Sequence, residues 1–568
     1  MKPLKLFGII ILFFGILCTG FAQVQVDQVA QYKKLNRNAI GLISDGEIDQ
    51  AIDWAESFIA EHPEDIESRF VLAVAHAQKD EIKKAMDYVD KSLELGIPFS
   101  RYLAGPRDLL KPLVNSEPFR QRLKDNGPYL LHGPMLSNVT DSRAEFWVRT
   151  FRENPVSVVV KEPGKEKTIQ SETVKTDASR DYTATIPVTG LEANTEYQYI
   201  VVVGDKEIGN KATDKRWVFR TYPQTGEPTT LAVGFGGGAG YTPFYNHMWN
   251  TLSARWLPAF LFLGDNVYID HPKYPQVQDY CYYRRHSSAE YKNFIARTSI
   301  YAIWDDHDFG QNDSWGTPAK DQPEWKIPVW EKYKDNWNNP YYGGGEEDPG
   351  VWTDFSIGDV DFFMLDGRYY RSSPTLEKPD MLGEAQKKWL FEKLKQSEAT
   401  FKVIASPVPW SFGVKGGTQT VYGPSGTVKP SDSELSQFPP SEATEVPRTS
   451  DTWEGYAEER EKIFSFIEEN NIEGVVLISA DRHRSDAWKI TREDGYDLYE
   501  FESSKLTNVH THPVFPESIF GYNEKCSFGL LKFNTEKRDP EVTYKVVNID
   551  NEVMNEITLR RSQLEFDR

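Results

Sequence analysis

Apolar and polar positions change their period twice along this chain, and each change marks a different kind of structure. Residues 24–123 read as helical and contain a repeat. Gly46-Glu-Ile-Asp-Gln-Ala51 returns as Asp80-Glu-Ile-Lys-Lys-Ala85, an offset of 34 residues that Gly41 and Ala75 also keep. Two such units barely bury their own faces, so the segment is expected to dock on its neighbour or to hold a protein partner. From Tyr129 to Pro223 the apolar residues alternate, as in Ala144-Glu-Phe146-Trp-Val148, the period of half-buried strands. Beyond Glu227, short apolar runs predict strands near 230–233, 260–263, 300–304, 360–365, 402–405 and 475–479. Helical patterns lie between several of them, such as the one at 383–396 with Glu384, Lys387 and Lys388 outward, which implies layered α/β architecture. Past Asp486 the pattern becomes strand after strand, at 496–501, 530–534 and 541–548, and reads as the second sheet of a sandwich.

Three of these apolar runs stop abruptly at polar residues. Leu261-Phe-Leu-Gly-Asp265-Asn266-Val-Tyr268 is followed by Tyr301-Ala-Ile-Trp304-Asp305-Asp306-His307-Asp308, and later by Val475-Val-Leu-Ile-Ser-Ala480-Asp481-Arg-His483. Buried parallel strands deliver ligands to the carboxyl edge of a sheet in this way, so the three polar tips are expected to meet. One Gly-Asp at a strand end is more often a turn or a helix cap than a ligand. Three on one chain, offering hard oxygens and imidazole with no thiolate nearby, suit a metal used as a Lewis acid.

Composition narrows the picture. At 568 residues the chain exceeds a single core, and 15 Trp and 28 Tyr favour folded domains. A net charge of -20 argues against nucleic-acid wrapping and against anionic membrane surfaces, while bound cations would reconcile it with a phosphate ligand. Lys2 and Lys5, an apolar stretch over residues 6–17 and Thr19-Gly-Phe-Ala22-Gln23 have the form of a secretory leader ending at Ala22, too short for a membrane anchor. The expectation is a secreted or periplasmic protein with no membrane span once the leader is removed. Cys281 and Cys526 then remain, far apart, with nothing to indicate a disulfide.

The order Gly-Asp-x-x-Tyr, Trp-Asp-Asp-His-Asp and Asp-x-His resembles the alkaline phosphatase D family of calcineurin-like metallophosphoesterases. Leu365-Asp366-Gly367-Arg368-Tyr369-Tyr370-Arg371 and Asp451-Thr-Trp453-Glu-Gly455-Tyr456 are similar to two further stretches of that family. The helical repeat resembles tetratricopeptide units, with Pro63 and Pro98 closing each. Gly190-Leu191 leading to Tyr197 resembles a fibronectin type III corner. Together these imply a multidomain chain: a leader over 1–22, an α-helical repeat segment over 23–126, a β-sandwich over 127–223, and a four-layer α-β-β-α metallophosphoesterase sandwich over 224–568.

The resemblance implies a phosphate ester as substrate and two or more cations (Ca, Fe, Mn or Zn). Asp265 would bridge two of them, with Tyr268, Asp481 and His483 completing one site and Asp306 the other; which cation takes Asp481 and which takes His483 stays open. A metal-bound hydroxide would attack phosphorus while His307 protonates the leaving oxygen. Asn266, Asn312 and Arg368 are the candidate phosphate contacts; for Arg368 the alternative is a structural ion pair with Asp366 or Asp308. One departure stands out. Where the family has a cysteine ligand after the first strand, this chain reads Gly236-Gly237-Gly238, with Gly236 the nearest match. That loss motivates a second reading, a catalytically degenerate binding or scaffold protein. The segment at 416–450, rich in Ser, Pro, Thr and Gly, reads as a surface loop, either lid or linker. The helical repeat carries no clustered acid, base or ligand, and is expected to be dispensable for chemistry.

Overall fold

A computed structural model of the protein describes residues 36–126, 129–209, 217–427 and 440–567. The expected leader lies outside the described residues. Among them, no helix is long and apolar enough to cross a membrane.

Two sheets form the centre of the larger, C-terminal part. The first has six strands in the order Ser299–Ile303, Ala259–Leu263, Thr230–Gly236, Ser527–Asn534, Glu541–Asn548 and Val553–Arg560. Its first three strands are mutually parallel, and the rest run antiparallel to their neighbours. The second has seven, in the order Thr353–Ile357, Val360–Met364, Phe401–Ala405, Val475–Ser479, Leu498–Ser503, Ser485–Ile490 and Phe520–Tyr522. The expected second sheet therefore needs correcting. The strands after Asp486 do not form a sheet of their own. Those up to Tyr522 extend the sheet of Val475–Ser479, and those from Ser527 onward extend the sheet of Ala259–Leu263. Period-2 patterning fixes which face of a strand is buried but is silent on which neighbour it pairs with.

The sheets pack face to face through aromatic rings. Phe533 of the first lies against Phe362 and Phe401 of the second, and Tyr544 stacks on Phe501 while its hydroxyl donates to the Glu502 carbonyl at 2.7 Å. Helices cover the outer faces. On the first sheet Trp249 and Phe294 of two short helices meet Phe262 and Phe260, and on the second Gly383–Gln396 brings Trp389 against Phe363. All five residues of Ala259–Leu263 are buried, so this strand is apolar on both faces, as a central parallel strand must be. Its carboxyl end, like those of Ser299–Ile303 and Val475–Ser479, opens onto one edge of the sandwich, where the polar tips collect.

Residues 130–208 and 217–220 form a smaller sandwich. A sheet of Leu130–Ser137, Arg143–Thr150 and Thr183–Thr189 faces one built around Pro155–Lys161 and Glu196–Val203. The Tyr197 hydroxyl accepts the Glu192 amide at 2.9 Å and ties the Leu191 turn to its strand. The segment expected to be a plain loop at 416–450 contains an antiparallel hairpin, Thr418–Tyr422 with Ala443–Pro447. Cys281 and Cys526 are both buried and free.

N-terminal to these, the helices Ile48–Glu61, Ile66–Gln78 and Ile82–Glu94 pack as consecutive neighbours. The small residue at Gly41 does not serve a helix crossing inside the repeat. It faces Val277, on the helix Pro275–His286 of the larger part. The segment thus buries its open face on its own chain. At the centre of this contact Glu67 receives both terminal nitrogens of Arg101 at 3.0 Å and the Tyr280 hydroxyl at 2.8 Å, with Phe70 packed on Tyr102 and Tyr280. Burial raises the Glu67 pKa, but Arg101 and Arg284 outweigh it and the carboxyl ends below its ordinary range. Its contribution to stability is present at neutral pH and is lost as pH falls through that lowered pKa. Arg101→Ala is expected to cost about 3–5 kcal/mol, because it strands a buried carboxylate. The double variant Glu67→Gln, Arg101→Met should lie much closer to wild type in urea unfolding at pH 7.

Candidate metal centre

Each strand end turns sharply to present its polar residue. Asp265, Tyr268 and Asp270 have φ of 55°, 55° and 57°, and Asp313, Asp481 and His483 have 56°, 70° and 49°. Left-handed backbone is uncommon for residues with a Cβ and costs on the order of 1–3 kcal/mol each, so its concentration at one edge marks a place where side-chain direction is held against local preference. Gly264, at φ 104°, makes the approach possible, since a Cβ there would lie 2.4 Å from that of Asp305.

Asp308 holds the first turn. Its carboxylate accepts the amides of Asn266 and Val267 at 2.9–3.0 Å, so the last carboxylate of the second run shapes the end of the first. Asp265, Asp306 and His307 then each offer a donor atom within 4.8 Å of one another, and Asp306, Asp313 and Asp451 do the same on the far side. Tyr268 packs its ring 4.6 Å from that of His307 and bonds Asp265, while Asn508 bridges the Tyr268 hydroxyl to His483 at 3.3 Å from Nδ1. Asp265, Tyr268, Asp306, His307 and His483 thus come together as one cluster. Asp481 sits toward its other wing, where Arg482 at 3.2 Å, Lys415, Asp451 and Arg368 are its charged neighbours.

The three expected phosphate contacts fare differently. Asn266 donates its side-chain amide to the Ile303 carbonyl at 2.8 Å, and its Oδ1 is buried without a hydrogen-bond partner among the described residues. Arg368 is fully buried, with Nε on Asp305 at 2.5 Å and Nη1 on Asp451 at 2.6 Å, so its fork is engaged by carboxylates and only Nη2 lacks a hydrogen-bond partner among the described residues. The ion pair weighed for it is real, but its partners are not Asp366 or Asp308. Asn312 is exposed on the turn beside Asp313.

Several residues here carried no role in the sequence reading. Lys415 reaches Asp313 at 2.9 Å and Asp451 at 3.1 Å, Arg371 joins Asp451 at 2.8 Å, and Asp270 pairs with His307 Nδ1. Lys415 and Asp451 flank the stretch read as a loop, and their opposite charges at its two ends were the available signal.

The electrostatics follow from burial of like charges. Burial drives the Asp265 and Asp305 carboxyls well above the usual range, against the pull of His307 on the first and Arg368 on the second. Burial also raises Asp308 to about 6, opposed by the backbone donors of Asn266 and Val267, and raises Asp313 to about 6 against Lys415. For Asp451 burial is outweighed by Arg368, Lys415 and Arg371, and the carboxyl stays well below its ordinary range. Burial lowers His307, but the carboxylates of Asp270, Asp306 and Asp265 lift it to about 10.

A cation fits this arrangement on three counts. Asp265 Oδ1, Asn266 Oδ1 and Asp305 Oδ2 are buried without a hydrogen-bond partner among the described residues. Leaving an ionised oxygen so costs several kcal/mol unless a positive charge meets it. The donors are carboxylate, amide oxygen, phenol and imidazole, a set for hard or borderline ions. Gly236 does not face the centre: a Cβ there would meet Leu506 at 3.3 Å and the Ser503 carbonyl at 3.5 Å. It is Gly238, at φ 67°, whose Cβ would come within 3.2 Å of His483 Nδ1. The equivalence of Gly236 with the family cysteine is therefore corrected, because the strand's pleat turns that residue toward the other sheet.

Alkaline phosphatase D of Bacillus subtilis (strain 168) is 23% identical over 377 residues, 58% of this chain and 58% of that protein's length, so the match spans less than two thirds of the relative. The solved structure of PhoD is similar with a TM-score of 0.57 at 16% identity, covering 76% of this chain and 91% of that one. A purple acid phosphatase from yellow lupin (Lupinus luteus) seeds is similar with a TM-score of 0.50 at 11% identity, covering 76% and 75%. Both likenesses are of fold. Residues 127–221 match a domain of unknown function, DUF7800. The model of the PhoD-like phosphatase family matches residues 231–566, which contain both sheets and the whole cluster from Asp265 to Asn508, and the chain belongs to that family.

Proposed function

We propose that the protein is a metal-dependent hydrolase of phosphoric esters, exported through the leader at residues 1–22. The observation that carries this reading is the convergence of Asp265, Asp306 and His307 from two adjacent strand ends, with a buried oxygen of Asp265 left for a cation. Cations held by Asp265, Asp306, Tyr268, His483 and Asp481 would supply Lewis-acid neutralisation of the phosphoryl oxygens and an acidified water. The protein's own residues do the rest. Asp265 and Asp306 set the spacing of the donors. Asp308 fixes the turn that aims Asp265. His307, held at Nδ1 by Asp270, keeps Nε2 for the leaving oxygen and gives it a proton as the ester bond breaks. Arg368 and Lys415 hold Asp305, Asp313 and Asp451 in place, which keeps the acidic wing from swinging into the phosphate's position. The tetratricopeptide-like helices and the fibronectin type III-like sandwich serve as scaffold in this reading.

Three outcomes test the proposal. Asp265→Asn should remove turnover and lower metal content together, a loss on the order of several kcal/mol in the barrier; retention of more than about a tenth of wild-type rate would exclude a shared ligand. His307→Ala should be far slower on alkyl phosphate esters and much less impaired on nitrophenyl esters, whose anion leaves without a proton. Equal losses on both, with metal depleted, would make His307 a ligand. Gly236→Cys should leave metal content and the visible spectrum as in wild type, since its side chain points at Leu506; a new thiolate-to-iron band would overturn that assignment.

A further inference from the structure

Among the described residues, Arg37 carries the helical segment to the turn beside the cluster. Arg37, on the helix at residues 36–44, is almost wholly buried and donates Nη1 to the Tyr268 carbonyl and Nη2 to Asp270 Oδ2. The other oxygen of Asp270 receives His307 Nδ1. The backbone closes the same loop, with the amides of Ile269 and Asp270 donating to the His307 carbonyl at 2.8 and 3.2 Å. Tyr268 and Asp270 both lie in left-handed backbone, a conformation that local preference does not supply, so something outside the turn has to hold it. The surrounding contacts come from the same helix and the turn that follows it: Asn38 meets His271 at 3.0 Å and Asp45 meets the Tyr274 hydroxyl at 3.0 Å.

We infer that Arg37 is a positioning residue of the active site, acting through Asp270 to fix the orientation of the His307 imidazole and through the Tyr268 carbonyl to fix the direction of the phenol. This inference stands against the expectation that the helical segment is dispensable for chemistry. A guanidinium suits the task because its planar fork spans two acceptors at once, which an ammonium cannot do with the same geometry. Without Arg37, Asp270 would keep its contact with His307 but lose the fork that ties it to the helix, and the ring could rotate with it. With Arg37 present, the turn is tied on one side to the helix and on the other to the second strand end. The inference rests on the hydrolase reading for its catalytic consequence but not for its structural content.

The experiment uses the full-length, metal-loaded protein and the variants Arg37→Ala and Arg37→Lys. Arg37→Ala should lower kcat on an alkyl phosphate ester by about 10- to 100-fold, the range for removing a hydrogen-bond partner that orients a functional imidazole, with a markedly smaller loss on a nitrophenyl ester and with metal content kept. Arg37→Lys, which retains the charge and loses the fork, should fall between wild type and Arg37→Ala and guards against a folding defect in the alanine variant. Hydrogen exchange of the peptide covering 266–272 is the readout independent of turnover: the Ile269 and Asp270 amides should lose protection in Arg37→Ala. If exchange rises while wild type itself hydrolyses no phosphate ester, the hydrolase reading falls and the positioning role stands. Unchanged exchange with unchanged leaving-group dependence would overturn the inference, as would an equal loss on both esters accompanied by loss of metal.

Discussion

Too many carboxylates in too little water is the constraint on which this structure depends. Asp265, Asp305, Asp306, Asp308, Asp313, Asp451 and Asp481 are all buried at one edge of the sandwich. Side by side in a medium of low polarity they repel one another, and each has to be met by a donor or a positive charge. Asp308 is met by backbone amides. Asp305 and Asp451 share Arg368, and Asp313 shares Lys415 with Asp451. What is left over among the described residues is Asp265 Oδ1 and Asp305 Oδ2, both buried without a hydrogen-bond partner. The pairing of the outer members concentrates the uncompensated charge at the point where cations would sit.

Much of this was legible in the chain. A central strand buried on both faces must be apolar throughout, and a strand that ends in carboxylates must end at an edge, so the three runs and their polar tips could be read directly. The helix Gly383–Gln396 and the strands Val475–Ser479 and Glu541–Asn548 lie where the periodicity put them. Strand partners were another matter. Leu498–Ser503 and Ser527–Asn534 look alike as sequences, and only the packing of Tyr544 and Phe533 between the sheets decides that they belong to different ones. The roles of Lys415, Asp451 and Asp270 were hidden because each depends on a partner dozens of residues away. Gly236 was misjudged for a simpler reason: it is the last residue of its strand, and the turn that follows, at Gly238 with φ 67°, is what faces His483.

The helical segment illustrates how a repeat too short to close its own core finds its stability. Its open face is covered by the helix Pro275–His286, with Glu67, Arg101 and Tyr280 as a buried polar knot. The charges in that knot add little net stability against an apolar alternative, but they fix the register of the contact, because a shifted docking would leave Glu67 unpaired. Register matters here, since the residues that follow Tyr268 lead directly into the docked helix.

The topology of the six-stranded sheet has a consequence for how the chain is made. Thr230–Gly236 pairs on one side with Ala259–Leu263 and on the other with Ser527–Asn534, so the middle of the sheet joins the start of the family region to a strand near that region's end. The inner layer on which the acidic edge stands is incomplete until Ser527–Asn534 has been made. During synthesis that layer waits with an unpaired border, and closing it requires bringing together segments some three hundred residues apart, a slow event by the usual dependence on sequence separation. The edge that gathers Asp265 and Asp306 therefore rests on a sheet whose middle closes only when the strand Ser527–Asn534, made long after those two carboxylates, has docked on Thr230–Gly236.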